Sequence, residues 1–143
     1  MSPLKVGIIG LGSIARSHCD AIAHLDNVEV VAVADLLAEK RQEYMEAYDT
    51  PKGYQTHHEL LQDDEVEAVA VVLGHMMHHQ LTLDACNAGK HVLVEKPMAI
   101  NLQQCDDMVE AAAKNSVKLM IGLSQHFYDT SVKAKEILDS GEL

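Results

Sequence analysis

Basic residues are scarce in this sequence of 143 residues, and arginine is the scarcest of them. Lys and Arg together number 11 against 22 Asp and Glu, which gives a formal net charge of −11 at pH 7. The two arginines, Arg16 and Arg41, do not make a basic patch. Because an acidic surface without such a patch repels a phosphate backbone, we expect no nucleic-acid partner.

Cysteines and long apolar runs are also few. The three cysteines are odd in number and show no C-x-x-C spacing, which argues against a disulfide framework or a structural zinc ribbon. The longest uninterrupted apolar run, residues 68–74, is far shorter than the roughly 20 residues that span a bilayer. A strand pattern begins by Leu4, which leaves no room for a secretory signal. We therefore expect reduced thiols, a cytoplasmic location and no membrane partner.

Hydrophobic residues make up 48% of the chain and charged residues 23%, which is typical of one ordinary globular domain. Runs typical of strands occur at residues 4–9, 28–34, 53–55, 66–73, 91–94 and 117–121. Helical periodicity occurs between them, at residues 37–48, 58–61 and 77–88, and after the last strand, at residues 132–138. Two further helices have predicted apolar faces at Ile14, His18, Ala21, Ile22 and Leu25, and at Leu102, Cys105, Val109 and Ala112. We interpret Met108 and Met120 as core residues.

This alternation predicts an α/β fold with a doubly wound, mostly parallel sheet, because parallel neighbours need crossover connections and these are usually helical. Ligands of such sheets bind beyond the carboxyl ends of the strands. The loops after these ends are therefore the expected functional sites.

The segment from Gly10 to Ala15 reads G-x-G-x-x-A, directly after the first strand and at the start of the first helix. Gly10 can make the tight turn, and Gly12 allows the backbone to approach a pyrophosphate. The backbone N–H groups at the helix start, at Ser13 and Ile14, then supply an anion site. The position of the motif predicts a dinucleotide phosphate loop.

Asp35 ends the second strand, twenty positions after Ala15. A carboxylate there can accept hydrogen bonds from the two ribose hydroxyls of adenosine and repels a 2′-phosphate. We therefore predict NAD rather than NADP as the cofactor, with Lys40 and Arg41 as the neighbouring residues that argue the other way. The alternative, a glycine turn with an unrelated surface Asp, is disfavoured because strand, loop, helix and acid coincide.

The tripeptide Glu95-Lys96-Pro97 follows the fifth strand and ends the string Ala88-Gly89-Lys90-His91-Val92-Leu93-Val94-Glu95-Lys96-Pro97. With this string the sequence resembles, from end to end, the Gfo/Idh/MocA family of nicotinamide-dependent oxidoreductases. The resemblance implies that Lys96 lies near the nicotinamide as the catalytic residue, where it orients the substrate oxygen or exchanges a proton with it. Glu95 and Pro97 are then part of the cofactor site, and a cis Lys96–Pro97 peptide is expected.

The loop after the fourth strand departs from the family. A T-P-N-x-x-H pattern is common there, whereas this chain has Leu73-Gly74-His75-Met76-Met77-His78. We assign Leu73 and His78 to the cofactor site, although only His78 matches the pattern. His75, His78 and His79 have a spacing that could gather imidazoles for zinc, but no fourth ligand is near in sequence. No metal site is therefore predicted, and a histidine-based metal-binding protein is the weakest alternative. His57-His58 is interpreted as a helix start, and Asp63-Asp64-Glu65 with Glu67 as a solvated turn before the fourth strand.

The resemblance also implies a second domain beyond the Ser140-Gly141 junction. We expect residues 1–124 to form the dinucleotide-binding domain and residues 125–143 a connecting helix toward a C-terminal substrate domain that this sequence lacks. The implied reaction transfers a hydride between nicotinamide and a sugar, polyol or related hydroxyl compound, in a full-length form that is a homo-oligomer. The 143-residue chain alone is expected to be inactive. A non-catalytic dinucleotide-binding or sensing module is the alternative.

Overall fold

The computed structural model describes residues 2–141, which form a six-stranded parallel sheet covered by helices on both faces. The strands are β1 (Leu4–Ile9), β2 (Val28–Ala34), β3 (Lys52–Tyr54), β4 (Ala68–Val71), β5 (His91–Val94) and β6 (Leu119–Ile121). The helices are α1 (Ser13–Ile22), α2 (Ala38–Ala47), α3 (His57–Leu61), α4 (His78–Asn87), α5 (Leu102–Lys114) and α6 (Asp129–Ser140). Two 3₁₀ turns, His75–Met77 and Ser124–Phe127, precede α4 and α6. None of the helices in the described part of the chain is long and apolar enough to cross a membrane.

The strand order is β3-β2-β1-β4-β5-β6, and every neighbouring pair is parallel. The chain winds from β1 toward one edge through β2 and β3, and then returns to the other side of β1 with β4. The carboxyl ends of β1 and β4 therefore flank the point where the winding reverses, which is where doubly wound sheets bind ligands. The predicted fold class is confirmed.

The core lies in two layers, one on each face of the sheet. On one face α1 and α2 pack against β1 and β2, with Ile8 and Tyr44 in the middle of the layer. On the other face α3, α4 and α5 pack against the sheet through Leu60, Leu81 and Met108. Helix α6 has no buried residue, so it lies outside both layers.

The predicted apolar faces of α1 and α5 are wrong in detail. Helix α1 buries Ala15 and Cys19, whereas Ile14 and Leu25 are about half exposed. Helix α5 buries Met108 and Ala112, whereas its predicted Leu102 and Val109 are exposed. In α1 the small Ala15 faces the sheet and allows the helix to approach it closely. The neighbouring Ile14 therefore lies on the outer side of the helix. Met120 is also half exposed, on the edge strand β6, so its interpretation as a core residue is wrong.

Candidate cofactor site at the carboxyl edge of the sheet

A cavity of about 490 Å³ opens at the carboxyl ends of β1, β2 and β4. Its wall includes Gly10 after β1, Asp35 after β2 and Leu73 after β4, so it brings together three of the predicted site residues from both sides of the winding reversal. Gly12, Ser13, Ile14, His78, Glu95, Lys96 and Pro97 do not line it. Most of the wall is apolar, which suits a flat ring such as adenine with few polar anchors.

A second cavity, of about 660 Å³, lies at the opposite side, near the start of β2. Its wall carries Glu29, Glu46, Asp49 and Glu65. Four carboxylates repel a pyrophosphate. The larger cavity is therefore not the better candidate for a dinucleotide.

The phosphate loop uses its two glycines for different reasons. Gly10 has a φ of +92°, and a Cβ built on it would lie 2.5 Å from Leu73 Cγ. Gly12 has ordinary extended backbone angles (φ −89°, ψ −174°) and no heavy atom within 4 Å of a Cβ position. Gly10 is thus required by the fold, whereas Gly12 leaves open space beside the start of α1.

The amino end of α1 is arranged for an anion. The first turn of α1, which begins with Ser13 and Ile14, carries no acidic residue, and Gly12 provides no side-chain cap. The N–H groups of this turn point away from the helix without an intrahelical partner, and the helix dipole adds positive potential there. Tyr44 supports the loop from α2, since its hydroxyl donates a hydrogen bond of 2.8 Å to the carbonyl of Gly12.

Asp35 connects the phosphate loop to the end of β2. Its Oδ2 accepts a hydrogen bond from the Leu11 N–H at 2.9 Å, and its Oδ1 accepts one from the Leu37 N–H at 3.0 Å. Each carboxylate oxygen can accept a second bond, so the side chain is held in place and keeps capacity for a ribose diol. Arg41 lies beside it and donates from Nη1 to the carbonyls of Asp35 (2.7 Å) and Leu36 (3.2 Å).

The Glu95-Lys96-Pro97 turn contains the expected cis Lys96–Pro97 peptide. The Lys96 side chain is 60% exposed, and its Nζ lies 3.6 Å from Glu95 Oε2. Glu95 is only 16% exposed. Gly122, after β6, leaves space for the Glu95 carboxylate, because a Cβ at Gly122 would lie only 3.0 Å from Glu95 Oε1.

His18 on α1 also contacts Glu95, and it was not assigned to the site from the sequence. Its Nε2 donates to Glu95 Oε1 at 2.9 Å, while the backbone N–H of Lys96 donates to Glu95 Oε2 at 3.2 Å. Burial alone would raise the pKa of Glu95, but these two hydrogen bonds and the nearby positive charge outweigh it and hold the pKa below its ordinary value. An ionised Glu95 therefore stands between His18 and Lys96. The only sequence signal was the position of His18 on a helix that follows the phosphate loop.

His78 is fully buried at the start of α4. Its Nδ1 lies 2.7 Å from the carbonyl oxygen of Pro97, and its Nε2 lies 3.0 Å from that of Leu73. The ring thus joins the loop after β4 to the turn that carries Lys96. In this position His78 fixes two walls of the site through their backbones.

The three histidines considered for zinc do not converge. His79 pairs with Asp107 at 3.1 Å, and His75 packs its ring against the edge of the His78 ring. Both nitrogens of His78 already face carbonyl oxygens. His57 and His58 are the first two residues of α3, as expected.

Comparison with known proteins agrees with this geometry. Residues 4–123 match the sequence profile of the GFO_IDH_MocA family, described as an oxidoreductase family with an NAD-binding Rossmann fold. The chain is 36% identical to inositol 2-dehydrogenase of Salmonella typhimurium and 32% identical to myo-inositol 2-dehydrogenase of Thermotoga maritima. These alignments cover 98% of this chain but 43% and 42% of the two relatives.

Solved structures show the same fold. Scyllo-inositol dehydrogenase from Lactobacillus casei, with bound NAD(H) and scyllo-inositol, superimposes with a TM-score of 0.93 at 24% identity, over 99% of this chain and 42% of that one. The chain spans about two fifths of the length of the relatives that it matches. Its sequence, sheet order and phosphate loop place it in the Gfo/Idh/MocA family of oxidoreductases, as an NAD-binding Rossmann fold.

Proposed function

We propose that this chain is the cofactor domain of an NAD-dependent dehydrogenase that acts on a polyol or sugar. The observation that carries the proposal is the position of Asp35, which lies on the cavity wall and is bonded to the phosphate loop. The inositol dehydrogenases among its relatives support the substrate class. We also propose, as the family resemblance implies, that the full-length form is a homo-oligomer. The three free thiols support a cytoplasmic location.

The residues present fit NAD. The open space at Gly12 admits a pyrophosphate next to the first turn of α1. Asp35 retains acceptor capacity for the two ribose hydroxyls, and its charge opposes a 2′-phosphate. Arg41 does not form a clamp against that charge, because its Nη1 is bonded to backbone carbonyls. These contacts favour NAD over NADP, with Gly10, Gly12, Ser13, Ile14, Asp35 and Leu73 as the proposed binding residues and the Glu95-Lys96-Pro97 turn beside the nicotinamide. The fully buried His78, assigned to the site from the sequence, holds the two neighbouring loops in place and does not itself contact the cofactor.

The chemistry follows from the Lys96 turn. When bound, the nicotinamide ring supplies a carbon that accepts a hydride from the substrate carbinol. In its neutral form, the Lys96 amine accepts a hydrogen bond from the substrate hydroxyl and takes up its proton as the carbonyl forms, which converts the amine to an ammonium. Glu95, held by His18, keeps the Lys96 ammonium at the carboxyl edge of the sheet. Glu95 and His18 are thus positioning residues, and Lys96 is the catalytic one.

The second candidate is a binding module without turnover, which the 60% exposure of Lys96 favours for this chain alone. A catalytic lysine in water lacks the desolvation that tunes proton transfer. We infer that residues 1–124 are the cofactor domain and that residues 125–143, with the unburied α6, lead toward a substrate domain. By positioning the substrate against the cofactor, that domain would lower the activation barrier by roughly 7–11 kcal/mol.

The test is a steady-state assay of NAD reduction with a panel of polyols and sugars, run beside calorimetric binding of NAD. We expect binding without useful turnover from the 143-residue chain, and turnover from a protein in which a substrate domain follows this chain. A full-length protein that binds NAD and reduces it with none of the panel would contradict the substrate class. A chain that does not bind NAD would contradict the cofactor domain.

A further inference from the structure

Two imidazoles and a carboxylate meet where α3 packs against α4. His57 and His58 begin α3, and Asp84 lies on α4. Their potential ligand atoms all lie within 4.8 Å of one another. His57 Nε2 lies 3.0 Å from Asp84 Oδ2, and the centroids of the two histidine rings are 3.9 Å apart. We refer to these three residues as the His-His-Asp cluster.

The backbone that carries the two histidines is fixed by local contacts. Thr56 caps α3 in a capping box, in which its hydroxyl accepts from the Glu59 N–H and Glu59 accepts from the Thr56 N–H at 2.9 Å. Leu60 anchors the short helix in the core, where it shares one cluster with Leu81 of α4. The fold itself therefore holds the backbone of the His-His-Asp cluster in place.

Asp84 is oriented by a second residue. Gln80, one turn earlier on α4, donates from Nε2 to Asp84 Oδ1 at 2.8 Å. This bond leaves Oδ2 for the side on which His57 lies. Outer hydrogen bonds of this kind orient metal ligands in known sites.

The distances suit a small ion. Four ligands at about 2.0–2.2 Å from a tetrahedral zinc stand about 3.3–3.6 Å from one another. The His57–Asp84 separation of 3.0 Å is slightly shorter than this, and the widest separation in the cluster, 4.8 Å or less, closes by rotation of the exposed His58 side chain. Two imidazoles and one carboxylate are ligands that zinc accepts, and three protein ligands leave one coordination position for water.

We propose that the His-His-Asp cluster binds one Zn²⁺, through a ring nitrogen of His57, a ring nitrogen of His58 and Oδ2 of Asp84. The proposal does not depend on the proposed function. His57 and His58 also line the 490 Å³ cavity that contains Asp35, so the ion would stiffen one wall of that cavity. A simple ion pair between His57 and Asp84 explains two members of the cluster but gives no role to His58.

His58 therefore provides the decisive variant, and its exposure means that His58→Ala leaves the core intact. The experiment is calorimetric titration of chelator-treated, untagged protein with Zn²⁺, with Co²⁺ absorption as a check of tetrahedral coordination. We expect one ion per chain, affinity weakened at least about tenfold by His58→Ala, and a similar weakening, roughly 10–100-fold, by Gln80→Ala. His24→Ala, which removes an exposed histidine elsewhere, should leave the affinity unchanged.

Absence of one-to-one binding would overturn the proposal. Binding that His58→Ala leaves at wild-type affinity would also overturn it, as would equal weakening by His24→Ala, which indicates non-specific coordination by surface histidines. Circular dichroism melts of each variant confirm that the comparison is between folded proteins.

Discussion

The two glycines of the phosphate loop should respond in opposite ways to one added methyl group. In Gly10→Ala the new Cβ would lie 2.5 Å from Leu73 Cγ and 3.0 Å from the Val72 carbonyl oxygen, at a φ of +92°. Unfavourable φ costs on the order of 1–3 kcal/mol and overpacking about as much again. The variant should lose about 2–6 kcal/mol of its free energy of unfolding, a large part of the stability of an ordinary domain.

In Gly12→Ala the methyl group meets no atom within 4 Å, and the backbone angles are ordinary for any residue. The free energy of unfolding should change by less than about 1 kcal/mol. The methyl group instead fills space where the pyrophosphate must approach the backbone. We expect the dissociation constant for NAD to rise at least about tenfold, which corresponds to about 1.4 kcal/mol, and Gly12→Val to abolish binding.

Thermal melts and calorimetric NAD titrations of both alanine variants measure these effects. Gly10→Ala should lower the melting temperature by about 7–20 °C, whereas Gly12→Ala should melt close to the wild type and bind NAD weakly. A Gly12→Ala variant with wild-type affinity would refute the placement of the pyrophosphate. A Gly10→Ala variant with a wild-type melt would refute the steric argument.

Three further variants test the supporting contacts. His78→Ala should lower the free energy of unfolding by about 3–5 kcal/mol, because it empties a buried site and leaves at least one buried carbonyl without an N–H donor. Denaturant titration beside the exposed control His24→Ala, expected near the wild type, decides this. Asp35→Asn keeps an acceptor but removes the charge, so the ratio of NAD to NADP affinity should fall at least about tenfold; an unchanged ratio in parallel titrations would mean that Asp35 does not face the ribose. The folded pKa of Glu95 lies below its ordinary value of 4.5, so Glu95 stabilises the fold above that value and the contribution is lost as the pH falls through the lowered pKa. Melts across this acid range should therefore show a shallower loss of stability in Glu95→Gln than in the wild type, and parallel curves would contradict the His18–Glu95 contact.

Elements that are marked by a pattern over several neighbouring residues were predictable from the sequence. The first two strands and β5 have the predicted bounds, and the phosphate loop has the predicted place, because apolar runs and glycine spacing are local properties. The run at residues 66–73 was predicted too long. Val66 is buried like a strand residue, but its N–H donates to the carbonyl of Asp63 in a turn. Burial and strand pairing are separate properties that one apolar pattern does not distinguish.

Contacts between distant segments could not be predicted in this way. Asp63 belongs to an acidic run that is typical of a solvated turn, and that interpretation is wrong for this residue. Its carboxylate is nearly buried, accepts hydrogen bonds from Lys52 and the Tyr54 hydroxyl, and has a pKa below its ordinary value, because these bonds outweigh the effect of burial. Lys90 donates to the carbonyls of Asp63 and Val66 from a buried position. Each of these contacts depends on how distant chain segments pack against one another. Composition and residue spacing do not determine that packing.

The candidate site also contains residues that were predictable from local spacing and a contact that was not. Gly10, Gly12 and Asp35 were assigned from local spacing, and the structure brings them to one edge of the sheet. The contact of His18 with Glu95 joins α1 to the end of β5, across 77 positions of sequence. A histidine near the phosphate loop carries no local sign of that partner.

The most direct test of the cofactor assignment is a titration of the isotope-labelled chain with NAD, followed by the amide NMR signals of each residue. We predict saturable shifts at Leu11, Ser13 and Ile14 and around Asp35, with smaller shifts near Lys96. The residues of the acidic cavity near Glu29 and Glu46, at the start of β2 and the end of α2, should keep their signals unchanged. Saturable shifts confined to that opposite cavity, or no saturable shift at all, would contradict the assignment of the carboxyl edge as the NAD site.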